Sequence, residues 1–276
     1  MPGFQLLMEP RDVVYQYDGS LAGFYTCIFR CVYSRECPVD ILPREERQMT
    51  LLPFARVETD LEQATRVRQA VSRKISPEAL VLCEHVYLSC LPGKEMAMLR
   101  FLHLGFAVGR KINQLMTDPV VDTMLQAEKH LLREAHLFLG FVRFVDHQGK
   151  LISAISPKNF VLPLLAPHFA DRFSEESFLI YDKTHRVALV YHDGRAELGT
   201  LEGEWPAVSQ KEQFYQELWK QFYHTIGIKE RENARCRMTH MPKRYWENMV
   251  EMHPRKPLED TEYALENANI QILPAG

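Results

Sequence analysis

The spacing of apolar residues changes period twice along this chain, and that pattern restricts the fold more than any single motif does. From about residue 60 to residue 140, apolar positions recur every three to four residues, as on an amphipathic helix. After Gly140 the runs FVRFV, LISAI, SFLIYD, VALVYHD and AELGTL are short and apolar or alternating, separated by HQGK, KTHR and HDGR, which is the pattern of strands and tight turns. From about 209 to 252 the helical period returns. Phe214, Tyr215, Leu218, Trp219, Phe222, Tyr223 and Ile226 there form one wide apolar face suited to a core or an interface. The sequence therefore predicts an α+β fold: a helical bundle portion over about 60–140, about five antiparallel strands over 141–203, and C-terminal helices carrying a basic segment. All of it is read as one domain spanning 1–257, followed by a tail (258–276) with Glu259, Asp260, Glu262 and Glu266 and no basic residue.

Local signals place the elements more closely. Val13–Tyr17 reads as a strand, Asp18-Gly19 as a turn, and Ser20 as the N-cap of a helix with Phe24, Ile28 and Cys31 on one face. Ser76-Pro77 and Asp118-Pro119 each combine a capping side chain with a proline that loses no hydrogen bond in a first helical turn. Leu91-Pro92-Gly93 breaks the helical part once. Gln148-Gly149 and Asp193-Gly194 suit the positive φ of two-residue hairpins, and Pro163–Phe173 reads as a helix inserted between strands.

Several function classes are set aside by what is incomplete. The YDGS turn has one glycine where a dinucleotide loop needs three, and it lacks the Gly-Lys-Ser/Thr of a phosphate loop. Cys27 and Cys31 have the first spacing of the radical-SAM motif CxxxCxxC, but position 34 is Ser34, so the third cluster ligand is missing. His130 and Glu134 are four apart and could share a metal, yet two ligands do not make a site. No metal or cofactor is expected. Six cysteines in 276 residues are too few for a disulfide scaffold, no apolar run approaches a membrane span, and no leader is evident; a reduced, cytoplasmic protein without membrane contact is expected.

Two sets of residues could carry function. Between Lys229 and Trp246 lie Arg231, Arg235, Arg237, Lys243 and Arg244, against only Glu230 and Glu232, in a chain of net charge -3. That local reversal suits an anionic partner. Pro242 fits the first turn of a helix through Tyr245 and Trp246, which would put Lys243 and Arg244 at the positive end of a helix dipole. That is an unfavourable place for cations unless a phosphate joins them. Tyr245 and Trp246 could stack on bases or pack inward, and the basic residues could equally be a solvated surface or a protein interface. The second set is Asp18, Glu134, His136 and His168, candidates for acid–base catalysis. Glu134 and His136, two apart, would point to different faces of a continuous helix.

These residues carry a resemblance over most of the chain. YDGS at 17–20, EAHLFLGFVRF at 134–144, LAPHFADRF at 165–173, LIYD at 179–182 and the TIGIKERENAR and MPKRYW strings of the last third are similar to a bacterial family usually described as DNA metabolism or DNA repair proteins of unassigned chemistry. Members are typically encoded beside a radical-SAM protein thought to modify or repair DNA, and some continue into a uracil-DNA glycosylase-like domain. The resemblance implies an accessory protein that binds DNA and works with a radical-SAM partner, and it puts emphasis on Asp18, Glu134, His136, His168, Arg231, Asn233, Arg235, Lys243, Arg244, Tyr245 and Trp246. Two other readings stand beside it: a nucleic-acid-processing enzyme using Glu134, His136 and His168, and a module that binds the radical-SAM partner without touching DNA.

Overall fold

The computed structural model describes residues 9–45, 51–200, 209–226 and 233–254. The chain divides into two compact units, one ending at Arg133 and the other beginning at Glu134. It is an α+β protein, as the two changes of period require.

The first unit opens with β1 (Glu9–Tyr17), α1 (Leu21–Ser34), β2 (Glu36–Pro43) and β3 (Phe54–Arg56), with β1 central and parallel to both neighbours. Ser20 caps α1 by accepting from the Gly23 N–H at 2.9 Å, and Asp18 fixes the turn before it by accepting from the Ser20 N–H, the Ser20 hydroxyl and the Thr59 hydroxyl. The helices α2 (Leu61–Ala70), α3 (Pro77–Leu88) and α4 (Lys94–Val108) follow, with a π-turn at Val71–Ile75 and a 3-10 turn at Gly109–Gln114, and then α5 (Pro119–Phe141), whose residues from Glu134 onward belong to the second unit. Ser76 caps α3 and Asp118 accepts from the Val120 N–H, as their pairing with proline predicts. Phe24, Ile28, Ile75, Met98, Phe101 and Met124 are fully buried within one apolar cluster.

Gly105 shows how tightly α4 is seated. A Cβ there would lie 2.7 and 2.9 Å from two methyl carbons of Ile75, a side chain with no solvent-exposed volume to move into. Alanine would gain about 1 kcal/mol of helix propensity but would overpack a site of a kind that usually costs about 1–3 kcal/mol. Gly105→Ala is therefore expected to lower stability by up to about 2 kcal/mol in urea unfolding followed by far-UV circular dichroism; a raised midpoint would contradict it.

In the second unit β4 (Val145–His147), β5 (Lys150–Ile155), β6 (Phe178–Asp182), β7 (Val187–His192) and β8 (Arg195–Gly199) form a sheet in that order. The β4–β5 and β7–β8 hairpins turn through Gln148-Gly149 and Asp193-Gly194, all four residues having φ between 48° and 76°, as the turn residues predict. The expectation of an all-antiparallel sheet is corrected: β5 pairs parallel with β6. The reason is α6 (Leu162–Arg172), which carries the chain back over the sheet so that β6 starts at the same end as β5. A second correction concerns FVRFV, because α5 continues to Phe141 and strand begins only at Val145. Phe144, Phe169, Phe173, Phe178 and Tyr191 pack ring on ring beneath the sheet, with centroids 4.9–6.4 Å apart. Beyond it lie α7 (Gln210–Thr225), α8 (Ala234–His240) and 3-10 turns at Lys243–Asn248 and Val250–Met252. On α7 the apolar face is only partly covered, with Tyr215, Trp219, Phe222 and Ile226 38–59% exposed.

Candidate nucleic-acid interface

Asn233 begins the basic segment as the N-cap of α8, its side chain accepting from the Cys236 N–H at 2.9 Å. None of the seven residues of α8 is buried, so Arg235 and Arg237 stand in solvent. Lys243 is exposed as well. Among the described residues none of these three cations is paired with a carboxylate. Arg237 and Lys243 both lie over the Trp246 ring, 5.6 and 5.9 Å from its centroid, and the Trp246 Nε1–H donates to the Met241 carbonyl at 2.9 Å. The indole is thus locked in place and holds two cations near each other. Arg231 lies outside the described residues.

The helix expected after Pro242 is a six-residue 3-10 turn, Lys243–Asn248. A single short turn develops little macrodipole, so attraction for an anion here rests on the side chains.

Arg244 and Tyr245 have a different environment. Tyr245 is 2% exposed and packs between Phe138 and Phe141, with centroids 5.0 and 5.4 Å away, so its ring takes the inward of the two orientations left open by the sequence. Its hydroxyl donates to Glu134 Oε1 at 2.8 Å. Arg244 stacks on the Tyr245 ring at 4.5 Å, donates to the Tyr245 hydroxyl and pairs with Glu134 at 3.2 Å. Glu134 Oε2 accepts from the Asn159 side-chain amide at 2.6 Å and the Asn159 backbone N–H at 2.8 Å, while the Lys158 N–H lies 3.2 Å from both oxygens. Glu134 itself is 2% exposed. Burial pushes its carboxyl pKa up, but the hydrogen bonds from Asn159, Tyr245 and Lys158 outweigh that and hold it below the usual glutamate value. Burial raises the Tyr245 phenol to about 12, against the opposing pull of Arg244. The result is a carboxylate whose ionised form is favoured by its donors and which fixes the start of the Lys243–Asn248 turn to α5.

A second buried carboxylate anchors the end of the same segment. Glu251 takes a two-pronged contact from Arg143, closest at 2.6 Å, and accepts from Trp219 Nε1 at 3.3 Å. Burial raises its pKa, and the Arg143 pair more than reverses that. The basic turn is therefore held at both ends.

The other acid–base candidates do not share the surroundings of Glu134. His136, two residues beyond Glu134, is exposed on another side of α5, as the helical period predicts, and His168 is exposed on α6 with its ring edge against Phe169. Asp18 belongs to the first unit and serves the turn before α1. Among the described residues no three His, Cys, Asp or Glu side chains stand together as a metal site, and no helix is long and apolar enough to cross a membrane.

A family model described as a domain of unknown function, DUF4130, matches residues 92–251, more than half of the chain. The chain belongs to this family. The DUF4130 segment contains Glu134, Asn159, Arg235, Arg237, Lys243, Arg244, Tyr245, Trp246 and Glu251, so the basic turn and both of its carboxylate anchors fall inside it, whereas Asp18 falls outside. No curated protein and no solved structure matches the chain. Sequence reasoning missed Asn159, Arg143 and Glu251. The available signal was Ser156-Pro157-Lys158-Asn159, a turn-forming string after a strand.

Proposed function

We propose that this DUF4130 protein is a DNA-metabolism accessory factor that binds nucleic acid through Arg235, Arg237, Lys243 and the outer edge of Arg244, and leaves the chemistry to a radical-SAM partner. The observation that carries the reading is three exposed cations with no carboxylate partner among the described residues, on a chain that is acidic overall. Like charges held close repel, and phosphate oxygens relieve that repulsion while releasing counterions. Trp246 and the Glu134 anchor support the reading because they restrict the cations before a ligand arrives, which lowers the ordering cost of binding. Phosphate contacts of this kind position a nucleic acid without reading its bases.

The test is fluorescence anisotropy with labelled duplex and single-stranded DNA across a salt series. Three to four neutralised phosphates give a slope of log affinity on log salt of about -3 to -4 for duplex and about -2 to -3 for single strands. Binding that is absent, or indifferent to salt, would refute the reading and favour the basic turn as a docking surface for the partner protein.

A further inference from the structure

Between α1 and α4 of the first unit lies an apolar groove of about 210 Å³. Ile28, Leu99 and Leu102 line it as buried residues, Phe106 is half-buried, and Val32 is exposed. Two polar side chains join this lining, Arg35 and His103. Arg35 is exposed, and among the described residues its guanidinium has no ion pair, hydrogen bond or ring contact. Burial lowers the His103 pKa, so near neutral pH its ring is uncharged and, among the described lining residues, Arg35 alone carries charge. Arg35 ends α1 in the left-handed region at φ 54°, its backbone N–H reaching the Cys31 carbonyl. That conformation favours glycine, which has no Cβ to crowd it, yet the chain places a cation there, beside an apolar groove.

We infer that this groove is a binding site for a small apolar monocarboxylate, its ring or chain against the leucines and its carboxylate on the Arg35 guanidinium. Three features select that class. An apolar cavity of roughly 150 Å³ holds a benzene ring, so the groove has room for one ring or a short chain and little more. A neutral ligand seated there would strip water from Arg35 without replacing it, whereas a carboxylate accepts two parallel N–H bonds from the guanidinium. A small hydrated anion without an apolar body would leave the leucines of the groove facing water. The groove shares no residue with the basic turn, so its test is independent of the test of nucleic-acid binding.

The test is an NMR titration of the full chain with 4-methylbenzoate, following the amides of Ile28, Val32, Leu99 and Phe106, beside acetate, 4-methylbenzamide and 4-methylbenzamidine. The expected result is saturable shifts at those amides with 4-methylbenzoate. Affinity is expected to be at least about tenfold lower for each of the other three, which lack the apolar body, the charge or its sign. Arg35→Gly is expected to bind 4-methylbenzoate about tenfold more weakly. The same variant relieves the left-handed backbone and is expected to melt no lower than the parent, so weaker binding is not confused with unfolding. The inference is overturned if the groove amides do not shift, if Arg35→Gly binds the probe as well as the parent does, or if any comparison compound binds as tightly.

Discussion

Replacing Glu134 with alanine is expected to destabilise the second unit by about 3–5 kcal/mol, a large part of the roughly 5–15 kcal/mol that holds a domain folded. The carboxylate is the acceptor for the Tyr245 hydroxyl, the Asn159 side chain and backbone, the Lys158 N–H and Arg244. Asn159 is 0% exposed and Tyr245 2%, so the groups that now donate to Glu134 would lose a buried acceptor that bulk water does not reach. Glu134→Gln tests the chemistry separately from the space. Its carbonyl can still serve one group of donors, but its NH₂ then faces the other, so it is expected to recover little of the loss. All three tryptophans, Trp205, Trp219 and Trp246, lie after Glu134, so tryptophan fluorescence during urea unfolding reports on this unit. The dependence on pH has a definite sign. Because the folded-state pKa of Glu134 is depressed, the unfolded chain binds more protons in the window below the usual glutamate pKa of about 4.5, and stability falls as pH drops through the folded pKa. Glu251 adds a contribution of the same sign. Glu134→Gln should therefore flatten this acid limb without removing it; a variant as stable as the parent, with an unchanged acid limb, would mean the cluster is dispensable.

The same cluster shows where sequence reasoning reaches and where it stops. Ser20, Ser76 and Asp118 are legible because a cap acts over two or three residues, and the hairpins at Gln148-Gly149 and Asp193-Gly194 because a positive φ is a property of the turn itself. The parallel β5–β6 pairing was within reach, since a helix between two strands permits a crossover, but strand direction is settled by where that helix packs. The short β3 and the β2 partner of β1 carry little periodicity of their own. For the site, Glu134 stands out as a charged residue on the apolar side of α5 beside Ala135 and Phe138. Its partners Asn159 and Tyr245, however, lie 25 and 111 positions away, and no local pattern connects them. That distance in sequence is why a residue read as an acid–base candidate stands in the structure as the anchor of the basic turn.

Anchoring also decides which charge reversal is informative about DNA. Arg244→Glu would set a second carboxylate against the buried Glu134, so lost binding would be inseparable from lost folding. Arg235 and Lys243 are exposed and carry no ion pair among the described residues, so the Arg235→Glu/Lys243→Glu double variant is expected to fold with little change in stability. Each lost phosphate contact costs on the order of tenfold in affinity near 0.1 M salt, and each new carboxylate adds repulsion. The double variant should therefore bind duplex DNA about 100- to 1000-fold more weakly, with a log–log salt slope shallower by about 2. The matched control is Lys150→Glu/Arg195→Glu, which changes net charge equally at two exposed positions on β5 and β8. If phosphate binding belongs to the basic turn, this control stays within a few-fold of the parent. Equal losses in the two double variants would show that overall charge alone governs the interaction, and no loss in either would place any nucleic-acid contact elsewhere on the chain.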